Sequence, residues 1–159
     1  MLKQATLAAF AAVLLAATSA AALDDPDQLI KGLYALPTLP SKPGDADRWL
    51  ARDAAQAYDR QLQADEPMPA TDGDWRYDSQ EWEISDLVIS RPVAAKDFGG
   101  ADVMLVEASF KNFGKPNRVT WTLCLASTGW RIADARGEND GGVWRLREYL
   151  EVPLDSLRC

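Results

Sequence analysis

Residues 103–111 read VMLVEASFK, and residues 118–125 read RVTWTLCL. In each run an apolar side chain stands at every second position: Met104, Val106, Ala108 and Phe110, then Val119, Trp121, Leu123 and Leu125. This alternation predicts two β-strands with one apolar face each, because successive side chains of a strand point to opposite faces. The turn-forming segment Gly114-Lys115-Pro116-Asn117 joins the runs, so we expect an antiparallel hairpin.

Two further alternating runs flank this hairpin. Residues 82–89 precede it, and Pro92 closes that run. Residues 130–135 follow it, across the turn Ser127-Thr128-Gly129. Residues 95–102 contain two adjacent glycines and are expected to form a turn. Three or four short strands joined in this way form an antiparallel meander.

Helical patterns occur before and after the strands. Residues 27–34 carry apolar side chains at helical spacing, after acidic residues that favour a helix start. A second helix is expected over residues 46–64, beyond the Pro-rich residues 37–44, and a short last helix over residues 143–151. The predicted class is therefore α+β. We expect N-terminal helices packed on a curved antiparallel sheet, in a cone-like arrangement with a cavity between helices and sheet.

The first 22 residues have the three parts of a secretory signal peptide. Lys3 supplies a positive charge, residues 5–17 form a mostly apolar run, and Ala20-Ala21-Ala22 suits cleavage after Ala22. The apolar run is shorter than the roughly 20 residues of a membrane-spanning helix. We therefore expect a periplasmic or secreted protein with no membrane anchor after cleavage, in which residues 23–159 form a single domain.

Composition excludes several classes of function. The 159-residue chain has no histidine, so Ser-His-Asp and Cys-His catalysis are ruled out. Its formal net charge of −7 argues against nucleic-acid binding. Residues 72–83 place acidic side chains at some calcium-loop positions, but Arg76 and Tyr77 stand where such a loop needs an oxygen ligand and a glycine. We expect neither a metal ion nor a cofactor.

The two cysteines are Cys124, within a predicted strand, and Cys159. In an oxidising compartment an even count favours a disulfide. The alternative is a pair of free thiols, and the spacing excludes a Cys-x-x-Cys redox motif. We expect a Cys124–Cys159 bond that tethers the C-terminal residues to the sheet.

Three segments carry a resemblance to known proteins: residues 75–82 (WRYDSQEW), residues 129–134 (GWRIAD) and residues 144–150 (WRLREYL). Over roughly residues 27–150 the chain resembles a family of uncharacterised secreted bacterial proteins with the nuclear-transport-factor-two-like, or cystatin-like, α+β fold. The resemblance implies the cone-like fold. It implies no single activity, because that fold supports isomerases, dehydratases, ligand carriers and protein-interaction modules.

Any catalysis would depend on carboxylates and tyrosines. In ketosteroid-isomerase-like members of the fold, a cavity Asp acts as a base beside a Tyr donor. The candidate catalytic residues here are Asp86, Asp134 and Tyr58, with Asp78, Tyr34 and Tyr77 as further candidates. Asp86 and Asp134 stand at apolar-face positions of their strands, and a buried carboxylate must be paired or protonated. The alternative role is a structural ion pair with Arg131 or Arg136.

Aromatic side chains are the other candidates for a site. Trp49, Trp121 and Trp130 fall on apolar stripes and are expected in the core. The candidate ligand-binding residues stand near the start of the predicted sheet: Trp75, Tyr77 and Trp82. Aromatic rings at element ends can line a cavity mouth or anchor a protein partner. The alternative is packing at the edge of the core.

These observations together predict a secreted or periplasmic, non-catalytic binding module. It would hold a small apolar ligand in the cavity between helices and sheet, or a protein partner on the sheet. Two alternatives stay open: a lyase- or isomerase-type cavity enzyme that uses Asp and Tyr, and a periplasmic inhibitor or immunity-type protein with an acidic surface. A filled cavity would favour protein contact, whereas an Asp and a Tyr converging on open volume would favour the enzyme.

Overall fold

The structure is a computed structural model that describes residues 25–139 and 142–159. The predicted signal peptide, residues 1–22, lies outside the described residues. Within those ranges the chain forms these elements: α1 Pro26–Tyr34, a 3-10 helix Asp45–Arg48, α2 Arg52–Leu62, β1 Ile84–Ile89, β2 Val93–Asp97, β3 Ala101–Asn112, β4 Lys115–Ala126, β5 Gly129–Asn139, β6 Gly142–Arg145 and α3 Leu146–Tyr149. No helix among them has the length and apolar character needed to cross a membrane.

The six strands of this described region form one antiparallel sheet in the order β1–β3–β4–β5–β6. β2 also pairs with β3, so β1 and β2 contact successive parts of the same strand. In the central hairpin, Val106 lies opposite Trp121 and Ala108 lies opposite Val119. The predicted α+β class and the antiparallel pairing are therefore confirmed.

One face of the sheet carries the main core. Leu29, Ile30 and Leu33 line the inner side of α1 and are almost completely buried. They belong to the same cluster as the inward side chains of the sheet: Val106, Ala108, Phe110, Val119, Trp121, Leu123 and Ile132. The alternation in β3 and β4 thus predicts the inward side chains from Val106 to Phe110 and from Val119 to Leu123, whereas Leu125, predicted on the same face, is 63% exposed.

The C-terminal residues from Asp155 to Cys159 cover one end of the opposite face. Cys124 of β4 points to this side and forms a disulfide with Cys159, as predicted. A second, smaller apolar cluster lies beneath this segment and includes Phe98 and Val103, with Leu157 packed against it. The disulfide therefore holds the C-terminal residues on the sheet. The other end of the same face carries exposed side chains.

The predicted helix over residues 46–64 is interrupted. The chain forms a 3-10 helix at Asp45–Arg48, and α2 begins only after Ala51. Between them the Trp49 carbonyl accepts a hydrogen bond from the Ile132 N–H at 2.7 Å, and the Ala51 N–H donates to the Ile132 carbonyl at 2.7 Å. These backbone groups pair with the edge of β5, so they are not available to a continuous helix.

Two other predicted segments also differ, because they pair in the sheet. The turn over residues 95–102 is correct only around Phe98 and the two glycines after it, and the flanking residues belong to β2 and β3. The last helix over residues 143–151 begins as β6 and continues as the short α3. Val143 therefore lies on a strand instead of the predicted helix, opposite Glu138, and is 72% exposed. Strand pairing overrides local preference at both places.

Candidate functional site

Aromatic side chains fill the space between the helices and the sheet. The ring centroids of Tyr34 and Trp121 lie 5.9 Å apart, and those of Trp75 and Trp121 lie 5.8 Å apart. Tyr77 packs edge-on against Phe110 at 5.6 Å. All five side chains are less than one-tenth exposed. The space predicted for a ligand is therefore occupied by the protein's own rings.

The three candidate ligand-binding residues divide between this interior and the surface. Trp75 and Tyr77 are buried within the aromatic cluster. Trp82 is 42% exposed, and its ring stacks on that of Tyr77 with centroids 5.5 Å apart. Trp82 thus covers the edge of the core, and it is the one of the three that presents a large ring surface to solvent.

A buried ion pair anchors the segment that carries these rings. Arg76 is 1% exposed, and its Nε donates to both carboxylate oxygens of Asp74, at 2.9 and 3.0 Å. Its Nη1 donates to the carbonyl oxygens of Leu33 at 3.0 Å and Leu36 at 2.7 Å, near the end of α1. The Tyr34 hydroxyl donates to the Arg76 carbonyl at 3.0 Å. The sequence did not reveal the Asp74–Arg76 ion pair, because the polar composition of this segment is typical of a solvent-exposed turn.

Tyr58, a predicted catalytic candidate, is a buried residue of α2. Its hydroxyl donates to the Pro40 carbonyl at 2.9 Å, and its ring packs edge-on against Trp75 at 6.3 Å. Burial raises the pKa of Tyr58 to about 12. The hydroxyl therefore stays protonated and fastens the Pro-rich connection to α2.

A β-bulge places Asp86 at the surface. The pairing of β1 with β3 shifts register between Ser85 and Val88, and Asp86 within the bulge has a φ of 55°. Its side chain is 64% exposed, and one oxygen lies 2.8 Å from Lys111 Nζ. The expectation that Asp86 lies on the apolar face is wrong, because the extra residue breaks the alternation at this point.

A second bulge decides the position of Asp134. The register between β4 and β5 shifts, so Ile132 lies opposite Leu123 while Asp134 lies opposite Thr122. Asp134 therefore points away from the main core, on the face opposite to that of Ile132. It is nevertheless 1% exposed. Its burial, which the sequence indicated, arises on the other side of the sheet.

The carboxylate of Asp134 has several hydrogen-bond partners. Oδ2 accepts from Arg145 Nε at 2.7 Å, and Oδ1 accepts from the backbone N–H of Arg147 at 3.0 Å. An ion pair was expected, but with Arg131 or Arg136; the partner is Arg145, because β6 brings it beside β5. Burial raises the pKa of Asp134, and the backbone N–H and Arg145 oppose that rise. These contacts hold β6 and α3 to the sheet.

The uncovered end of the sheet forms a shallow trough of about 790 Å3. Its polar and charged lining residues are Asp86, Ser109, Lys111, Asn117, Arg118, Thr120, Arg136 and Glu138. Phe110, Pro116, Gly137 and the exposed Val143 complete the lining. We call this surface the open face. It lies on the side opposite to α1, because its residues alternate with the buried side chains of β3 and β4.

The charges on the open face are mostly paired. Asp86 binds Lys111, and Glu107 lies 3.4 Å from Arg118 Nε. Arg136 forms no ion pair or side-chain hydrogen bond within the described residues. The sequence contains these residues at alternate positions, a pattern that also fits an ordinary solvated face, so alternation alone gave no reason to select them.

Asp78 and Tyr149 both line a smaller cleft of about 240 Å3. The Tyr149 hydroxyl donates to Asp78 Oδ1 at 2.9 Å, and the Tyr149 ring stacks on Trp144 with centroids 5.9 Å apart. Burial, together with Asp78, raises the pKa of Tyr149 to about 12. Asp78 was a predicted candidate, but Tyr149 was missed, because the helical pattern over residues 143–151 offered no reason to place it there.

All four tyrosines of the chain are expected to resist ionisation. Burial raises the pKa of Tyr58 and Tyr149 to about 12, and it raises the pKa of Tyr34 and Tyr77 above the usual 10. Followed by ultraviolet absorbance, the native protein should form little phenolate at pH 10, whereas the chain in denaturant should titrate there.

The same shifts predict how stability depends on pH. These acids have a higher pKa in the folded chain, so they favour folding below their unfolded pKa of about 10. The free energy of unfolding should therefore fall as the pH rises from about 10 towards 12. Phenolate formation in the native protein that matches the denatured titration would contradict this expectation.

Within residues 25–139 and 142–159, no three His, Cys, Asp or Glu side chains come together to hold a metal ion.

Comparison with known proteins identifies no relative: no family model, curated protein or solved structure matches the chain. The function must therefore be inferred from the geometry described above.

Proposed function

We propose that the protein is a secreted, non-catalytic binding module that contacts a protein partner through the open face. The contrast between the two faces of the sheet carries this proposal. Aromatic rings fill the space under the helices, whereas the trough on the other face is accessible. A carrier of apolar ligands would need an enclosed apolar space. The described side chains occupy the space where one was predicted.

The chemistry of the open face supports contact with a protein. It combines the Lys111–Asp86 ion pair with Arg136, which has no ion pair among the described residues, and the strongly exposed Val143. Arginine is enriched in protein contact surfaces, and a polar surround keeps such a surface soluble when it is unbound. Long paired strands lie beneath, so the backbone that carries these side chains is ordered before a partner binds, and association need not order it.

The sequence and the disulfide support secretion. Residues 1–22 have the composition of a signal peptide, and the Cys124–Cys159 bond is compatible with an oxidising compartment. We also propose that the helices and sheet have the nuclear-transport-factor-two-like arrangement implied by the resemblance. An inhibitor or immunity-type protein that acts through an acidic surface would need another face, because Lys111, Arg118 and Arg136 line the open face beside Asp86 and Glu138.

Site-specific photo-crosslinking tests the open face. With p-benzoylphenylalanine in place of Val143, we expect a covalent adduct with one defined protein in the cells that naturally make this chain. Val143 borders the trough and is 72% exposed, so its substitution should not disturb folding. Adding Arg136→Glu should reduce the adduct, because it inverts a charge beside the crosslinker.

The matched control carries the same crosslinker at Arg60, which is exposed on α2. α2 buries its apolar side in the main core, on the other side of the sheet. Arg60 should therefore give no adduct of that mass. Equal adducts from both positions, or none from Val143, would remove the support for the open face.

The Asp78–Tyr149 contact favours a second function. A lyase- or isomerase-type enzyme could use Asp78 as a base and Tyr149 as a proton donor, since they lie 2.9 Å apart at a small cleft. Native mass spectrometry of the protein from its natural source separates the two functions. A bound small molecule that Tyr149→Phe loses would favour the enzyme, whereas a bound protein would favour the module.

A further inference from the structure

A separate cleft of about 680 Å3 lies between α2 and the turn that joins β4 to β5. Polar side chains from both elements line it: Arg52, Gln56, Asp59, Ser127, Thr128 and Arg131. We call it the α2 cleft. It shares no lining residue with the open face, and the function proposed above makes no use of it.

Arg131 is the unusual member of this cleft. It is 8% exposed, and its guanidinium donates to uncharged groups. Nε donates to the Asp47 carbonyl at 2.9 Å, Nη1 to the Trp130 carbonyl at 2.8 Å, and Nη2 to Thr128 Oγ1 at 2.8 Å. No carboxylate of the described chain forms an ion pair with it. Its positive charge is therefore buried without a counter-charge in contact.

The other buried arginines in residues 25–139 and 142–159 have such a counter-charge. Arg76 binds Asp74, and Arg147 Nη2 lies 2.9 Å from Asp53 Oδ2. Burying a charge without a partner costs free energy, so a buried cation normally acquires an anion. Burial lowers the pKa of Arg131, and the nearby Asp47 opposes that effect. An anionic group bound in the α2 cleft would balance this charge.

Further donors surround Arg131. Arg52 also lines the cleft, is exposed, and forms no ion pair within the described residues. It is the first residue of α2, whose N-cap, Ala51, supplies no side-chain hydrogen bond. The N-terminus of a helix carries a partial positive charge that favours anions. The hydroxyl groups of Ser127 and Thr128 add neutral donors at the same cleft.

We propose that the α2 cleft binds a small carboxylate between the guanidinium groups of Arg131 and Arg52. The planar fork of Arg52, which has no ion pair within the described residues, matches the two carboxylate oxygens. Arg131, whose Nε and Nη1 already donate to carbonyl groups, adds its charge and the remaining N–H of Nη2. Asp47 and Asp59 also line the cleft, so a polyanion is disfavoured and a compact monoanion fits. Asp59 in addition favours a carboxylate that carries an ammonium group, as a free amino acid does.

Nuclear magnetic resonance of the full protein tests this site. ¹⁵N-labelled protein is titrated at constant ionic strength with sodium acetate, with glycine and with inorganic phosphate. We expect acetate and glycine to shift the backbone amide signals of Arg52, Thr128 and Arg131 in a saturable way, with glycine the tighter ligand. Arg52→Gln should weaken both by about tenfold, the size expected for one charge-assisted hydrogen bond. Arg60→Gln, on the exposed part of the same helix, is the matched control and should bind as the original chain does.

Three outcomes would overturn the proposal: no saturable shift with acetate or glycine, binding of phosphate alone, or equal affinity in Arg52→Gln. Each would leave Arg131 as a structural clamp on carbonyl groups. Arg131→Lys separates that role from binding, because lysine keeps the charge but not the fork. We expect Arg131→Lys to lower acetate affinity at a temperature where its circular dichroism is unchanged, and an unchanged affinity would count against a carboxylate site.

Discussion

Replacing Arg76 with methionine is expected to lower the free energy of unfolding by about 3–5 kcal/mol. Asp74 is 4% exposed, and the substitution leaves its carboxylate buried without the guanidinium that neutralises it. The carbonyl groups of Leu33 and Leu36 also lose their donors, so the aromatic segment keeps only the Tyr34 hydroxyl bond to the backbone of residue 76 among these hydrogen bonds near the end of α1. Urea denaturation followed by tryptophan fluorescence measures this loss.

A double substitution separates charge burial from lost packing. Adding Asp74→Asn to Arg76→Met removes the unpaired charge, so we expect part of the stability to return. Arg60→Met, at an exposed position of α2, is the control and should change the free energy of unfolding by no more than about 0.5 kcal/mol. A loss below about 1 kcal/mol for Arg76→Met would mean that the pair is not the anchor described above.

Cys159→Ser is expected to lower the free energy of unfolding by about 3–4 kcal/mol. The disulfide joins residues separated by 35 positions, and without it the unfolded chain gains the entropy of an open loop. The substitution leaves Cys124 in place, where it packs in the cluster with Phe98 and Val103. Guanidinium denaturation with and without a dithiol reductant measures the effect.

Hydrogen exchange shows where the effect of Cys159→Ser is located. We expect faster exchange in β2 and residues 150–159, because the segment over the second apolar cluster is no longer tethered. Exchange in the centre of β3 and β4 should change only as global stability changes. Reductant should destabilise the original chain but not the variant. Equal denaturation midpoints for the two oxidised proteins would contradict a stabilising tether.

The candidate sites were predictable only where a pattern is local. Asp134 was selected because a carboxylate stands at an apolar-strand position, and it is indeed buried and paired. Its partner Arg145 could not be selected, since the helical pattern over residues 143–151 hides β6. Arg131 was considered only as a partner for a carboxylate. Only the structure shows that Arg131 has no carboxylate partner within the described residues, and that its Nε donates to the Asp47 carbonyl.

By itself the sequence determined the α+β class and the inward positions of β3 and β4 from Val106 to Phe110 and from Val119 to Leu123. Its two cysteines favoured the disulfide over free thiols. Alternation, helix starts and cysteine count are local properties, so they can be read directly from the chain. Only the tertiary structure decided where some helices and strands begin and which face a side chain occupies beyond a bulge. Pairing with β5 breaks the helix before α2 and creates β6, and two bulges move Asp86 and Asp134 off the predicted face. Each depends on how a segment pairs with a neighbouring strand, because one extra residue in a pairing reverses the direction of every side chain beyond it.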